Sequence, residues 1–167
     1  MKKILLLCFI MMNLFSFSQE NCTTIKDENN YLKKILDINK PVSEISKDNT
    51  TFKIIKVAGD KAKRTVSFTL LFEAKDANKK FNLDDISIFD LEGNEIGIDF
   101  FKSDSIFGNL ILNVPKKITL TFTYKTEVIE PKIIKLLKFK FKYTLESNSW
   151  EEKRTSLEFR DLNVNWN

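Results

Sequence analysis

The chain has 167 residues, with 27 Lys and Arg against 23 Asp and Glu, no histidine, two cysteines and fifteen phenylalanines. The formal charge of +4 is too small an excess to imply nucleic acid as a partner. Without histidine, Cys–His nucleophilic chemistry and His/Cys zinc sites are excluded within one chain.

The first element is a leader. Lys2 and Lys3 precede the apolar run Ile4–Phe17, and Ser16 and Ser18 sit three and one residues before a cut. This is the layout of a secretory signal peptide over 1–18. The run is shorter than the roughly 20 residues of a spanning helix, and no later segment is apolar enough to span. The working chain is therefore expected to begin at Gln19, outside the cytoplasm, in the periplasm or beyond it. Loss of Lys2 and Lys3 lowers the net charge from +4 to +2. Cys8 leaves with the leader, so Cys22 stands alone: a free thiol or one half of an intermolecular disulfide. Gln19-Glu20-Asn21 lacks the small apolar residues that precede a lipidated cysteine, so lipidation is not expected. Asn21-Cys22-Thr23 and Asn49-Thr50-Thr51 fit the glycosylation acceptor pattern, which is read here as chance.

Residues 19–50 read as a short helix and a linker. Tyr31, Leu32, Ile35 and Leu36 share a helical face, Asp27 or Asn30 is placed to cap it, and Pro41 ends it. Val42–Thr50 reads as polar linker. From Thr51 the apolar period becomes two. Phe52, Ile54 and Val57 mark a strand closed by Gly59-Asp60. In Arg64–Lys75, Val66, Phe68, Leu70 and Phe72 face inward against Thr65, Ser67, Thr69 and Glu73. Asp76–Asn82 reads as a loop and Asp85–Leu91 as a strand. Glu92-Gly93-Asn94 is a tight turn, and Glu95–Phe101 is its return strand. Gly108-Asn109 reads as a turn, and Leu110–Val114 as a short strand bounded by Pro115. Lys117–Tyr124 alternates again, and Lys125–Pro131 is a loop. Ile133–Leu145 is the long strand, with Leu137, Phe139, Phe141 and Tyr143 inward. Glu146–Lys153 connects it to Thr155–Trp166, whose apolar phase slips near Arg160-Asp161 as it would across a β-bulge.

Seven to nine short strands with closely spaced turns give an all-β fold: an antiparallel immunoglobulin-like β-sandwich over 51–167 with a short N-terminal helix. Phe9, Phe15 and Phe17 belong to the leader. The other phenylalanines supply a core that needs no disulfide.

Two surface features are candidate binding residues. Lys138, Lys140 and Lys142 lie on one face of the long strand. They read as a basic stripe for an acidic glycan or phospholipid head group, or as a solvated face whose lysines discourage edge pairing. Trp150 lies in a polar connection. It reads as a stacking platform for a sugar or partner, or as a lid over the end of the sandwich, the commoner fate of a large aromatic. Asp84, Asp85, Asp90, Asp99 and Asp104 crowd one region, but their spacing matches no calcium loop. No catalytic residue, metal or cofactor is assigned.

The leader ending Phe-Ser-Gln resembles those of secreted proteins of flavobacteria and their relatives, many of which carry an immunoglobulin-like sandwich. The resemblance extends over Phe52–Asp60, Thr65–Phe72, Asp90-Leu91-Glu92-Gly93-Asn94, Val114-Pro115-Lys116-Lys117 and Glu158-Phe159-Arg160-Asp161-Leu162 before Trp166. The cysteine pair of antibody-type domains is missing. It implies an exported sandwich with no catalytic residues to carry over, acting as a non-enzymatic domain for a protein or glycan partner in the cell envelope. The alternatives are a carboxylate-dependent hydrolase and a carrier of a small apolar ligand between the sheets.

Overall fold

The computed structural model describes residues 25–31, 40–125 and 130–166. The leader, Cys22, Leu32, Ile35, Leu36 and part of the Lys125–Pro131 loop lie outside them. The chain divides into two units, Met1–Lys40 and Pro41–Asn167. In the first, residues 25–31 are helical and exposed throughout. Asp27 and Asn30, expected as caps, lie inside this helix.

The described residues of the second unit form the expected all-β, mostly antiparallel sandwich, with ten strands in two sheets where seven to nine were expected. One sheet runs β1 (Ser43–Lys47), β2 (Thr50–Asp60), β3 (Thr65–Ala74), β7 (Lys116–Thr123), with β10 (Asn165–Trp166) also on β2. The other runs β5 (Glu95–Gly97), β4 (Lys79–Phe89), β8 (Ile133–Leu145), β9 (Asn148–Asn163), with β6 (Phe107–Leu110) also on β4. The named strand pairs are antiparallel except β10 on β2.

The inward phases of β3, β7 and β8 agree with their alternation: Phe68, Phe72, Leu120, Phe122, Leu137 and Phe141 are fully buried. Phe72 sits where the sheets meet. Its ring centroid lies 4.7 Å from Phe52, 5.9 Å from both Phe139 and Phe141, and 6.0 Å from Phe81. Edge-to-face and offset contacts at these distances fill the space between the sheets.

Two phase slips are bulges. In β2 the register shifts between Ile54 and Lys56, which turns Val57 inward after Phe52 and Ile54. In β4 it shifts between Asp84 and Ser87, with Asp85 at φ 49°, so Ile86 and Ile88 follow Phe81 and Leu83 into the core. The bulge expected near Arg160-Asp161 is not one. Asp161 has φ 55°, yet Ile134 faces Leu162 and Leu137 faces Phe159 in unbroken register, because β8 changes phase at the same level.

Four other expectations are corrected. Val42–Thr50 is not linker. Ser43–Lys47 pairs with β2 through a two-residue turn, Asp48-Asn49, with both φ positive at 49° and 51°. That is a type I′ hairpin, and an edge strand of this kind needs only one apolar side chain, Ile45. Lys79–Asn82 is not loop but the start of β4, disguised by a lysine at an inward position. Gly108-Asn109 lies inside β6, while 111–114 forms the turn expected of it. Glu146–Lys153 is mostly strand. Residues 148–154 of β9 are exposed on both faces while pairing with the end of β8, so no alternation is required of them.

The chain crosses between the sheets at β3–β4, β6–β7, β7–β8 and β9–β10, and an excursion within the β5–β6 connection also reaches the opposite sheet. Residues 98–104 leave β4 and line the open edge of β7 through bridges Ile98–Phe122 and Asp104–Thr119. After Val164, β10 crosses to β2 opposite Ala58 and Gly59. The Trp166 indole lies on Gly59, where a Cβ would sit 2.2 Å from its ring, and its Nε1 donates to Pro131 O at 3.0 Å.

Two outcomes follow. Phe139→Ala is expected to cost about 3–5 kcal/mol in urea denaturation, the range for a buried ring left as a cavity; an unchanged midpoint would remove Phe139 from the core. Gly59→Ala is expected to cost about 1–3 kcal/mol by overpacking against Trp166, and the same substitution made with Trp166→Ala is expected to add less than the sum of the two.

Candidate functional site

The lysine stripe is present but neutralised. Lys138 pairs with Glu95 at 3.1 Å, Lys140 with Asp85 at 2.6 Å, and Lys142 with Asp84. Lys138 also lies over the Phe89 ring at 4.6 Å. The hydrogen bond that Lys142 donates holds the Asp84 carboxyl below its ordinary range, and the one that Lys140 donates to Asp85 raises the Lys140 ammonium. A shallow groove of about 680 Å³ crosses this face. Asp84, Asp85, Glu95 and Glu158 line it against Lys138 and Lys140, so its surplus is acidic. The lysine pattern was legible in β8, but its partners come from β4 and β5, which only the sheet brings alongside.

Trp150 is not a lid. It is 95% exposed, on the part of β9 that is exposed on both faces. The next residue back, Ser149, lines a second groove of about 520 Å³ at that end, with Leu110 and Ile111 on one wall and Leu145 on the other. Ile111, Leu112 and Val114 are exposed on the β6–β7 turn beside it. Asn78 ties the walls together. Its Oδ1 accepts from Leu112 N at 2.9 Å, its Nδ2 donates to Glu146 Oε2 at 2.7 Å, and its carbonyl accepts from Glu146 N at 3.1 Å. The turn closes on itself through Val114 N to Ile111 O at 3.0 Å, with Asn113 at φ 58°. Sequence reading missed these residues by taking Leu110–Val114 for a strand; the available signal was Asn113 two residues before Pro115.

Lys79 forms the base of this end. Its side chain is 0% exposed. The ammonium donates to Asp48 O at 2.6 Å and Thr50 Oγ1 at 2.8 Å, pairs with Asp76 at 2.8 Å, and lies 4.9 Å from the Tyr143 ring centroid. A buried ammonium with that many partners is a clamp between the β1–β2 hairpin and β4. Burial raises the Asp76 carboxyl, but the hydrogen bond and charge of Lys79 together with the Asn49 and Ala77 N–H donors outweigh it, and the net shift is downward.

The aspartates do not converge. Asp84 and Asp85 serve the lysines, and Asp90 closes the β4–β5 turn by accepting from Glu92 N and Asn94 N at 2.9 and 2.8 Å. Partial burial opposes ionisation of Asp90; the Asn94 side chain and backbone donors outweigh it and lower its pKa. Asp104 pairs with β7. Among the described residues, no three His, Cys, Asp or Glu side chains group closely enough to hold a metal ion, and no helix is long and apolar enough to cross a membrane.

Asp99 organises the 98–104 crossover. Its N–H donates to Thr121 O at 2.8 Å, and its Oδ2 accepts from Thr123 Oγ1 at 2.7 Å and lies 3.2 Å from Lys102 Nζ. Its carbonyl accepts from Ser103 Oγ at 2.8 Å and Lys102 N at 3.2 Å. Ser103 Oγ in turn accepts from Thr121 N at 2.9 Å. This turn holds Phe100 and Phe101 outward, 60% and 102% exposed.

No family model matches the chain, and no curated protein does. Among solved structures, the chain is similar to the ASH/PapD-like domain 7 of human CEP192, at 11% identity and TM-score 0.42, over 75% of this chain and 97% of that one. It is also similar to a DUF4426 family protein from Pseudomonas aeruginosa, at 12% identity and TM-score 0.39, over 72% and 97%.

Removing the Lys79 ammonium leaves buried acceptors without a donor. Lys79→Met is expected to lower stability by about 1–3 kcal/mol, read from the urea midpoint, and a neutral result would show that the clamp contributes nothing. The pH response has a definite sign. Asp76, Asp84, Asp90 and Asp99 all titrate below their ordinary value in the fold. Their contribution is complete above the unfolded value of about 4 and is lost as pH falls below it. The urea midpoint should therefore hold from pH 7 to about 5 and fall below about 4; a midpoint that rises on acidification is the contrary result.

Proposed function

We propose that this chain is a non-enzymatic interaction module, exported by its leader, that docks a protein partner in the cell envelope through the groove between the β6–β7 turn and the β8–β9 hairpin. One observation carries the reading. Ile111 stands in water in a groove whose two walls are already cross-tied by Asn78, and Leu112 and Val114 are exposed on the same turn. Exposed apolar side chains gathered at one place are the usual mark of a docking surface. Fixed walls lower the ordering cost of association. Aliphatic walls favour a protein side chain over a sugar.

The reading as a binding module is supported by the engagement of carboxylates on the sheet faces with lysines and backbone donors, which leaves them serving structure. The carrier alternative finds little room, since phenylalanine rings in mutual contact occupy the space between the sheets. Export rests on the pattern of Met1–Ser18.

The test is capture from envelope extracts with the chain from Gln19, run beside Ile111→Asp and Val114→Asp, with a glycan array in parallel. The expected result is a protein retained by the parent and weakened more than about tenfold in both variants, whose thermal midpoints stay unchanged. Retention untouched by either substitution, or selective retention on glycans instead, overturns the reading.

A further inference from the structure

The Phe100–Phe101 turn lies on a different part of the molecule from the groove and does not depend on it. Phe101 is 102% exposed, so no neighbour covers any of its ring, and Phe100 is 60% exposed. A single exposed apolar side chain is ordinary, but adjacent exposed rings on a fixed turn form a contiguous apolar surface of the kind that marks an interaction site. Two features define which interface. The first is rigidity: Asp99 and Ser103 fasten the turn to β7 through Thr121 and Thr123, so the rings are presented without a loop to be ordered. The second is local charge. Lys102 is paired with Asp99 at 3.2 Å, and Lys63, which lines a shallow pocket of this sheet face together with Lys102, is paired with Asp60 at 3.0 Å. The lysines beside the tip are therefore neutralised, and the groove that Phe100 also lines carries a surplus of carboxylates, so no cationic field surrounds the two rings.

We infer that this turn is a wedge that inserts into the lipid–water interface of a membrane, anchoring the domain weakly and reversibly. A convex apolar tip finds complementary room in a fluid interface, whereas a protein partner would have to supply a matching pocket. Aromatic rings are at home in that interfacial layer. The paired lysines mean that attraction comes from ring insertion, so neutral lipids suffice. Two rings provide only a modest apolar area, which sets binding in the marginal, reversible range of a single anchoring signal.

The experiment places a reporter in the tip. Phe101→Trp is made in a Trp150→Phe background, leaving Trp166 as the only other tryptophan, and mixed with phosphatidylcholine vesicles with and without acyl-chain bromination. The expected result is a blue-shifted emission, quenching by the brominated lipid, and co-sedimentation that persists in 0.5 M salt (roughly 3–4 Å of screening length). In the otherwise unchanged chain, Phe101→Ser is expected to lower vesicle partitioning by roughly tenfold, the loss of most of one ring's burial, at an unchanged thermal midpoint. Ile111→Asp is expected to leave partitioning intact, which separates this inference from the groove reading. Emission and sedimentation indifferent to vesicles overturn it. So does binding that requires anionic lipid and vanishes in salt, which would be surface adsorption through lysines.

Discussion

The contact on which this molecule depends is the meeting of phenylalanine rings from both sheets around Phe72. Phe52 and Phe72 come from one sheet, Phe81, Phe139 and Phe141 from the other, and their edge-to-face and stacked contacts set how the two layers face each other. Non-directional burial would tolerate sliding of one sheet over the other. Rings of fixed shape with preferred contact geometry tolerate much less. The same packing explains how a sandwich stands without the cysteine pair of antibody-type domains: the cross-sheet tie is made of buried area.

A core of that kind leaves the ends and edges to polar chemistry. The open side of β7 is lined by the crossover at 98–104, and β2 is flanked by β1 at one end and β10 at the other. Single polar side chains do much of this fastening. Asn78 joins two loops, Asp99 fixes a turn, and the buried Lys79 ammonium joins a hairpin to β4. The Asn78 and Asp99 ties also hold nearby apolar side chains out in water, so rigidity at these places and exposure of Ile111 and Phe101 are two results of one arrangement.

The lysines show the limit of reading a face from one strand. Lys138, Lys140 and Lys142 are correctly placed on the solvent side of β8. Their meaning changes once β4 and β5 lie beside them, because Asp84, Asp85 and Glu95 turn a basic stripe into a row of ion pairs. Exposed pairs of this sort contribute little to stability, but they remove the field that an anionic ligand would need. Trp150 shows the complementary error: a large aromatic in a polar stretch was expected to be buried, and it stands instead on a stretch of β9 exposed on both faces.

What the sequence by itself determined is the period-two rhythm of β3, β7 and β8 and the part of the core that follows it (Phe68, Phe72, Phe122, Phe139 and Phe141), since a side chain's face follows from its place in the alternation. Phe81, read as loop, is buried, and Phe100, Phe101 and Phe107, read with the core, are exposed. The all-β class follows from the same rhythm. The Glu92-Gly93-Asn94 turn was equally legible, because Gly93 at φ 86° answers a purely local demand. Only the tertiary structure decided the rest. A strand that pairs through its backbone with one apolar side chain, as β1 does, has no periodic signature. A lysine is read as solvated until distant carbonyls surround it, as they surround Lys79. Both candidate surfaces arise where loops far apart in the chain are tied side by side, and that proximity is set by ring packing between sheets, which no local pattern encodes.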